Sequence, residues 1–194
     1  IHYKTNPMYD VDKKTFEILS FDYAKDNDHI YFGNKIITGA DIESFVLVGD
    51  YMSKDKNHVY YRENILEGAD PETFFAIGGE IPKYFSDRKN IYNREGKPLD
   101  INIGKFRILL ESYVIDDKNV YHDGRKISGA DINTFSPLSD TYSKDGNHVY
   151  MENRVLEDAD PGTFVIVADQ SRKKSEIYTK DDRHVYYYGE IMEG

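Results

Sequence analysis

The sequence contains no cysteine. That excludes a disulfide framework and a thiolate nucleophile or ligand, and it suits a reducing or an oxidising compartment equally well. Long apolar runs are absent as well, and no stretch approaches the roughly 20 residues of a membrane span. Basic residues are outnumbered, with 25 Lys and Arg against 35 acids and a formal net charge of -10. The one local basic cluster is Arg172-Lys173-Lys174, too short to supply the stripe that phosphate neutralisation needs, so a nucleic-acid partner is not expected. There is no glycine-rich phosphate loop and no nucleophile set in a catalytic motif. The opening Ile1-His2-Tyr3 has neither a start Met nor a basic-then-apolar leader, and the chain is expected to be a mature or trimmed piece of something longer.

Aromatic residues are plentiful. Among 194 residues there are 17 Tyr and 10 Phe, set in an apolar fraction of only 39%. Each aromatic side chain buries a large area, so a core built mostly of rings is consistent with a mean hydropathy of -0.67. Charges of both signs are interspersed, unlike the single-sign pattern of a disordered chain. The chain is expected to be folded and soluble.

An internal repeat organises everything else. Six Asp open its units, Asp26, Asp55, Asp87, Asp116, Asp145 and Asp181. Five residues after each stands a Tyr: Tyr31, Tyr60, Tyr92, Tyr121, Tyr150 and Tyr186. Ten residues beyond the first five of these come Asp41, Asp70, Asn102, Asp131 and Asp160, and four further on Phe45, Phe74, Phe106, Phe135 and Phe164. With ten more residues to the next Asp, the period is 29. Two insertions break it, of 3 residues around Gly78 to Pro82 and of 7 around Ala168 to Glu176. Such insertions are surface loops, and in repeat proteins they often fall on the binding face. The chain thus reads as a single array: a partial repeat over 1–22, units opening near 23, 52, 84, 113, 142 and 178, and a truncated last unit.

Within a unit, Asp-Lys-Asn is a turn signal, since Asp and Asn bond their own backbone and tolerate left-handed conformations. His58-Val59-Tyr60-Tyr61 then reads as a strand, and a two-residue turn leads to a return strand such as Lys35-Ile36-Ile37. Asp123-Gly124 is the strongest of these turns for type I′. Asp70-Pro71-Glu72 carries the N-cap, first-position Pro and acidic first turn of a helix, which predicts one α or 3₁₀ turn that drops the following Phe into the core. Phe45-Val46-Leu47-Val48 supplies a third strand. The residue before each column Tyr is a β-branched aliphatic, from Ile30 to Val185, so aliphatic and Tyr face opposite sides and both sides need cover. The fold class that follows is mainly β: tandem units of hairpin, one-turn helix and third strand in an open solenoid-like array, with a closed propeller-like arrangement as the alternative.

The motif Lys54-Asp55-Lys56-Asn57-His58-Val59-Tyr60-Tyr61, with its variants at Asp116 to Tyr121 and Lys144 to Tyr150, resembles that of the DKNYY family. The resemblance covers essentially the whole chain. It implies a bacterial repeat protein without an assigned activity, envelope-associated or secreted, and it brings no catalytic residues. The third unit departs from the pattern, with Asp100-Ile101-Asn102 where Gly-Ala-Asp is expected.

Candidate chemistry is sparse. The Asp-rich turns could ligate Ca²⁺ through several oxygens, with Asp26, Asp28, Asp116 and Asp117 as the candidates, but the longer spacing with a distal Glu is missing and a structural turn is favoured. The column His29, His58, Asn90, Asn119, His148 and His184 mixes His with Asn, so a shared metal role is disfavoured and a polar residue bonding the turn is expected. Cofactors and catalytic residues are expected to be none. The column Tyr are expected to be core, while Tyr61, Tyr187 and Tyr188, with Glu80 and Arg172 in the insertions, form the candidate interaction surface. The favoured reading is a non-enzymatic repeat module binding protein or glycan at the bacterial cell envelope. The alternative is a hydrolase whose carboxylates converge only in the fold. Oligomeric state is left open.

Overall fold

The computed structural model describes residues 2–4, 6–78, 82–110, 112–167 and 176–193. The chain forms two compact units, residues 1–100 and 101–194. Each is built from strands and turns, and no helix occurs among the described residues. Each unit holds three four-stranded antiparallel sheets in which strands adjacent in the chain are adjacent in the sheet. The first sheet comprises Glu17–Ile18, Tyr23–Lys25, Ile30–Phe32 and Lys35–Ile36. The second comprises Val46–Leu47, Met52–Lys54, Val59–Tyr61 and Asn64–Ile65, and the third opens at Phe75–Ile77 and closes at Pro98–Leu99. In the other unit the fourth sheet spans Arg107–Leu110 to Arg125–Lys126. The fifth comprises Ser136–Pro137, Tyr142–Lys144, Val149–Met151 and Arg154–Leu156. The sixth comprises Val165–Ile166, Tyr178–Lys180, Val185–Tyr187 and Glu190–Ile191. A short hairpin, His2–Tyr3 against Asn6–Pro7, precedes the first sheet.

Two expectations are corrected. The strand after the Phe exists, but Val46–Leu47 pairs with Met52–Lys54, a strand that precedes the unit Asp and was not anticipated. The building block is therefore four-stranded and straddles two sequence repeats. Met-Ser-Lys and Tyr-Ser-Lys carry no run of β-branched residues, so only burial between neighbouring sheets makes them strands. Nor does a helix form at Asp70-Pro71-Glu72. The Thr73 N–H meets the Asp70 carbonyl at 3.2 Å and its hydroxyl meets Asp70 Oδ2 at 2.6 Å, closing one isolated turn before the strand begins at Phe75. A cap without residues to propagate does not repay helix nucleation. At Asp123-Gly124 both residues lie at positive φ, 45° and 78°, as a type I′ turn requires.

Rings fill the core, and in the first five sheets both sides of the central strands are covered as the alternation demands. Tyr31, Tyr60, Tyr92, Tyr121, Tyr150 and Tyr186 are all buried, as are Ile30, Val59, Ile91, Val120 and Val149 on the opposite face. Phe45, Phe135 and Phe164 each bridge two sheets: Phe164 lies 5.7 Å from the ring of Tyr142 in the fifth sheet and 5.9 Å from Tyr186 in the sixth.

The contacts between sheets follow a matched pair of positions. Tyr23 stands three residues before its unit Asp, and its hydroxyl meets Ser53, two before the next unit Asp. Tyr113 meets Ser143 and Tyr142 meets Thr179 in the same way. Burial pushes these phenols up, and the facing hydroxyl only partly offsets it. None of the six oxygens reaches full hydrogen-bond geometry. Where Tyr is replaced by Met52, the facing hydroxyl is replaced by Phe85, stacked on Phe74 at 5.8 Å. Gly49 makes the room, because a Cβ there would lie 2.9 Å from the Phe85 ring.

This interchange yields a prediction. Tyr23→Phe alone leaves the buried Ser53 hydroxyl facing an apolar ring and costs about 0.5–1 kcal/mol, whereas Tyr23→Phe with Ser53→Ala returns to within about 0.5 kcal/mol of the parent. A double-mutant cycle by urea denaturation checks it, and strictly additive effects would refute the pairing.

Candidate functional site

The repeated Asp is the first place to look for chemistry, and its oxygens are fully employed. Asp26 Oδ1 accepts the N–H of Asp28 at 2.9 Å and of His29 at 2.7 Å. Its Oδ2 accepts the Tyr31 hydroxyl at 2.7 Å and the N–H of Asp12 from the preceding turn at 2.9 Å. Asp55 and Asp181 repeat all four bonds. Burial by itself would push the Asp26 carboxyl up, but the Tyr31 hydroxyl and the three backbone donors outweigh it and bring the group down to about 2. Asp181 is likewise held at about 2.

The metal candidates thus sort by place. Asp26 and Asp116 are buried turn anchors, and Asp116 accepts the N–H of Lys118, Asn119 and Asn102. Asp28 is exposed in the turn that Asp26 closes. Asp117 is bound by Lys105 at 3.0 Å and by the Asn102 side chain at 3.1 Å, and those bonds hold its carboxyl below the usual range. No group of three metal-ligating side chains converges among the described residues.

Asn102, Lys105 and Asp117 also explain the irregular third unit. In other units a Thr or Ser hydroxyl, such as Thr134, receives the N–H following the unit Asp, here Gly146 at 3.0 Å. Lys105 replaces that hydroxyl and Asp117 supplies the opposite charge. The deviation is a local exchange of partners with the turn preserved. The His column has a similar explanation. His29 Nδ1 lies 3.4 Å from the Tyr31 hydroxyl, and Asn90 Nδ2 donates to the Tyr92 hydroxyl at 3.1 Å, so either residue type steadies the phenol.

The proposed interaction residues divide between the two units. Tyr61 is half-buried beneath the Arg62 guanidinium, which lies 5.2 Å from its ring and 5.0 Å from that of Tyr51. Tyr187 and Tyr188 are exposed and meet edge to face at 4.8 Å. Glu80 and Arg172 lie outside the described residues, as does most of each insertion.

A concave feature occurs elsewhere in the first unit. A groove of about 390 Å³ is lined by Ser20, Phe21, Asp22, Leu47, Gly49, Asp50 and Tyr51. Two turns build it, each joining the first and second strands of its sheet, one in the first sheet and one in the second. Phe21 is 85% exposed, the most exposed large apolar side chain described, and Ile18 beside it is 77% exposed. Tyr51 is held in place, with the Phe32 ring at 6.2 Å and the Arg62 guanidinium over its face. Lys4 Nζ lies 5.9 Å from the Phe21 ring, and the Tyr3 hydroxyl donates to Asp22. Asp50 pairs with Arg94 at 3.7 Å and stays mostly solvated. The groove therefore offers one freely exposed ring, one fixed ring and two carboxylates.

A model of the DKNYY family matches residues 1–41 and 23–154. The chain belongs to the DKNYY family. The match includes the Asp-Tyr units from Asp26 to Tyr150, and the same spacing recurs beyond it at Asp181 and Tyr186. Comparison with curated proteins found no match, and comparison with solved structures found none. What defines this DKNYY chain is thus its scaffold. The groove residues lie outside the repeated columns, which is why motif reasoning passed over Phe21, Asp22, Asp50 and Tyr51. One signal was available: Phe21 occupies the turn position that is Asp50 in the next unit and Asp140 in the fifth sheet.

Proposed function

We propose that this chain is a non-enzymatic binding module that holds an extended protein segment against the groove between Phe21 and Tyr51. The observation that carries the reading is the 85% exposure of Phe21 at the rim of a groove of about 390 Å³, a size suited to side-chain capture. Ile18, Val46, Leu47 and Phe75 are exposed as well, on the first strands of the three sheets of this unit. Those strands are the outer strands of their sheets, the kind of edge to which an extended segment adds. Asp22 and Asp50 suit a Lys or Arg on the bound segment. The setting that goes with this function is a bacterial cell envelope, with the sheets following one another in an open array. No helix of the described residues is long and apolar enough to cross a membrane.

The test pairs a displayed peptide library with a glycan array. Peptides rich in apolar residues and Lys or Arg are expected as hits, and Phe21→Ala with Tyr51→Ala should weaken them at least tenfold, about 1.4 kcal/mol, while Phe21→Ala alone leaves the melting temperature unchanged. Hits on glycans alone, or peptide hits indifferent to both substitutions, would refute the reading. A second reading rests on Asp22 and Asp50 lining one groove, as the two acids of a hydrolase would. Turnover of a chromogenic glycoside or peptide that both Asp22→Asn and Asp50→Asn abolish would replace the binding module with that enzyme.

A further inference from the structure

The outer face of the sixth sheet breaks a rule that the fifth obeys. In the fifth sheet, Tyr142, Val149 and Leu156 are 0%, 0% and 5% exposed, covered by the sixth sheet and its leading turn. The residues at the same positions in the sixth sheet, Tyr178, Val185 and Met192, are 43%, 46% and 49% exposed. Their cross-strand neighbour Tyr187 is 47% exposed, while Thr179 and Tyr186 on the opposite face are buried against the fifth sheet. One face is finished and the other is bare.

The bare face also carries an unused donor. Lys144 Nζ donates to the Pro161 carbonyl in the turn that covers its sheet, at 2.7 Å, and Lys54 does the same to Pro71 at 2.9 Å. Lys180 occupies that position in the sixth sheet and is exposed, with no such carbonyl to meet among the described residues. Apolar side chains, a phenol that elsewhere meets a Ser or Thr, and a lysine that elsewhere meets a turn carbonyl together specify a cover.

We propose that this face is an acceptor for one more unit of the same kind. The segment it fits presents an Asp-Pro-x-Thr-Phe turn, whose Phe enters between Tyr178 and Val185 and whose carbonyl receives Lys180. A strand with Ser or Thr facing Tyr178 and a Tyr beside it completes the cover. The interface is the one the chain already makes between its fifth and sixth sheets. A second copy of this chain fits less well, because its Phe45, Phe74 and Phe164 are already packed in its own core.

The experiment uses the full chain extended after Gly194 by a copy of residues 159–194, which keeps the repeat spacing. Tyrosine nitration read by mass spectrometry is compared with and without the extension. Tyr178 and Tyr187 are expected to lose at least tenfold in nitration rate, while Tyr188 in the turn stays reactive. Val185→Asp should restore both rates in the extended chain, and in the parent chain, where the position is exposed, it should leave the melting temperature unchanged. Equal nitration with and without the extension would overturn the proposal. So would a parent chain that sediments as a dimer with Tyr178 and Tyr187 protected, since the occupant would then be a second copy.

Discussion

Asp55→Ala is expected to destabilise the first unit by about 3–5 kcal/mol, a large part of the stability of a domain of this size. The side chain is 4% exposed and accepts four bonds, from the N–H of Asn57 and His58, the Tyr60 hydroxyl and the Asp41 N–H. Alanine leaves four donors without an acceptor, and each buried donor left so costs about 1–3 kcal/mol, less than additively where water re-enters. Asp55→Asn separates charge from shape. Its oxygen still serves two donors, but its amide faces the Asp41 N–H, which can only donate, so a loss of about 2 kcal/mol is expected. Asp28→Ala, in an exposed turn position, should stay within about 0.5 kcal/mol. Urea denaturation measures all three. An Asp55→Ala chain within about 1 kcal/mol of the parent would show that the turn holds without its carboxylate.

Stability should also fall steeply in acid. Asp26 and Asp181 sit at about 2 when folded, against 3.8 for a free carboxyl, and Asp55, Asp87 and Asp145 are lowered in the same direction. A carboxyl lowered by folding takes up protons more readily in the unfolded chain. Its contribution is therefore complete above about pH 5 and is lost as pH falls through 4 towards 2. Asp26 and Asp181 lie close beneath the surface, so solvent screening trims their share to about 1–2 kcal/mol each. The melting temperature is expected to be level from pH 7 to 5 and to drop below pH 4, and Asp26→Ala should flatten part of that drop. A melt that does not change between pH 5 and 2.5 would contradict the bonding described for the Asp column.

The sequence made the repeat legible because its columns are fixed by local chemistry. Asp55, Asn57 and Tyr60 interact across five residues, so their spacing reports the turn, the strand and the buried phenol together. The strand Met52–Lys54 was not legible, since Ser53 is buried only because neighbouring sheets enclose it. The one-turn helix was expected because Asp70-Pro71 carries helix-cap chemistry, and an isolated turn uses that chemistry equally well. The groove was invisible for a different reason. Phe21 and Tyr51 lie 30 residues apart in the chain, and only the packing of the first sheet on the second brings their turns to one cavity. Tyr187 and Tyr188 were recognisable as exposed candidates, but the meaning of Tyr187 emerged only when the buried face of the fifth sheet could be laid beside the bare face of the sixth.

The central claim is that the repeated Asp is a buried, ionised staple between successive units and not a site awaiting a ligand. Carbon-detected NMR titration of the side-chain carboxyls tests it most directly. Asp26 and Asp181 are expected to titrate at about 2 in the folded chain, with no change when calcium is added or removed. Midpoints near 3.8 for both, or a calcium-dependent shift in either, would contradict it.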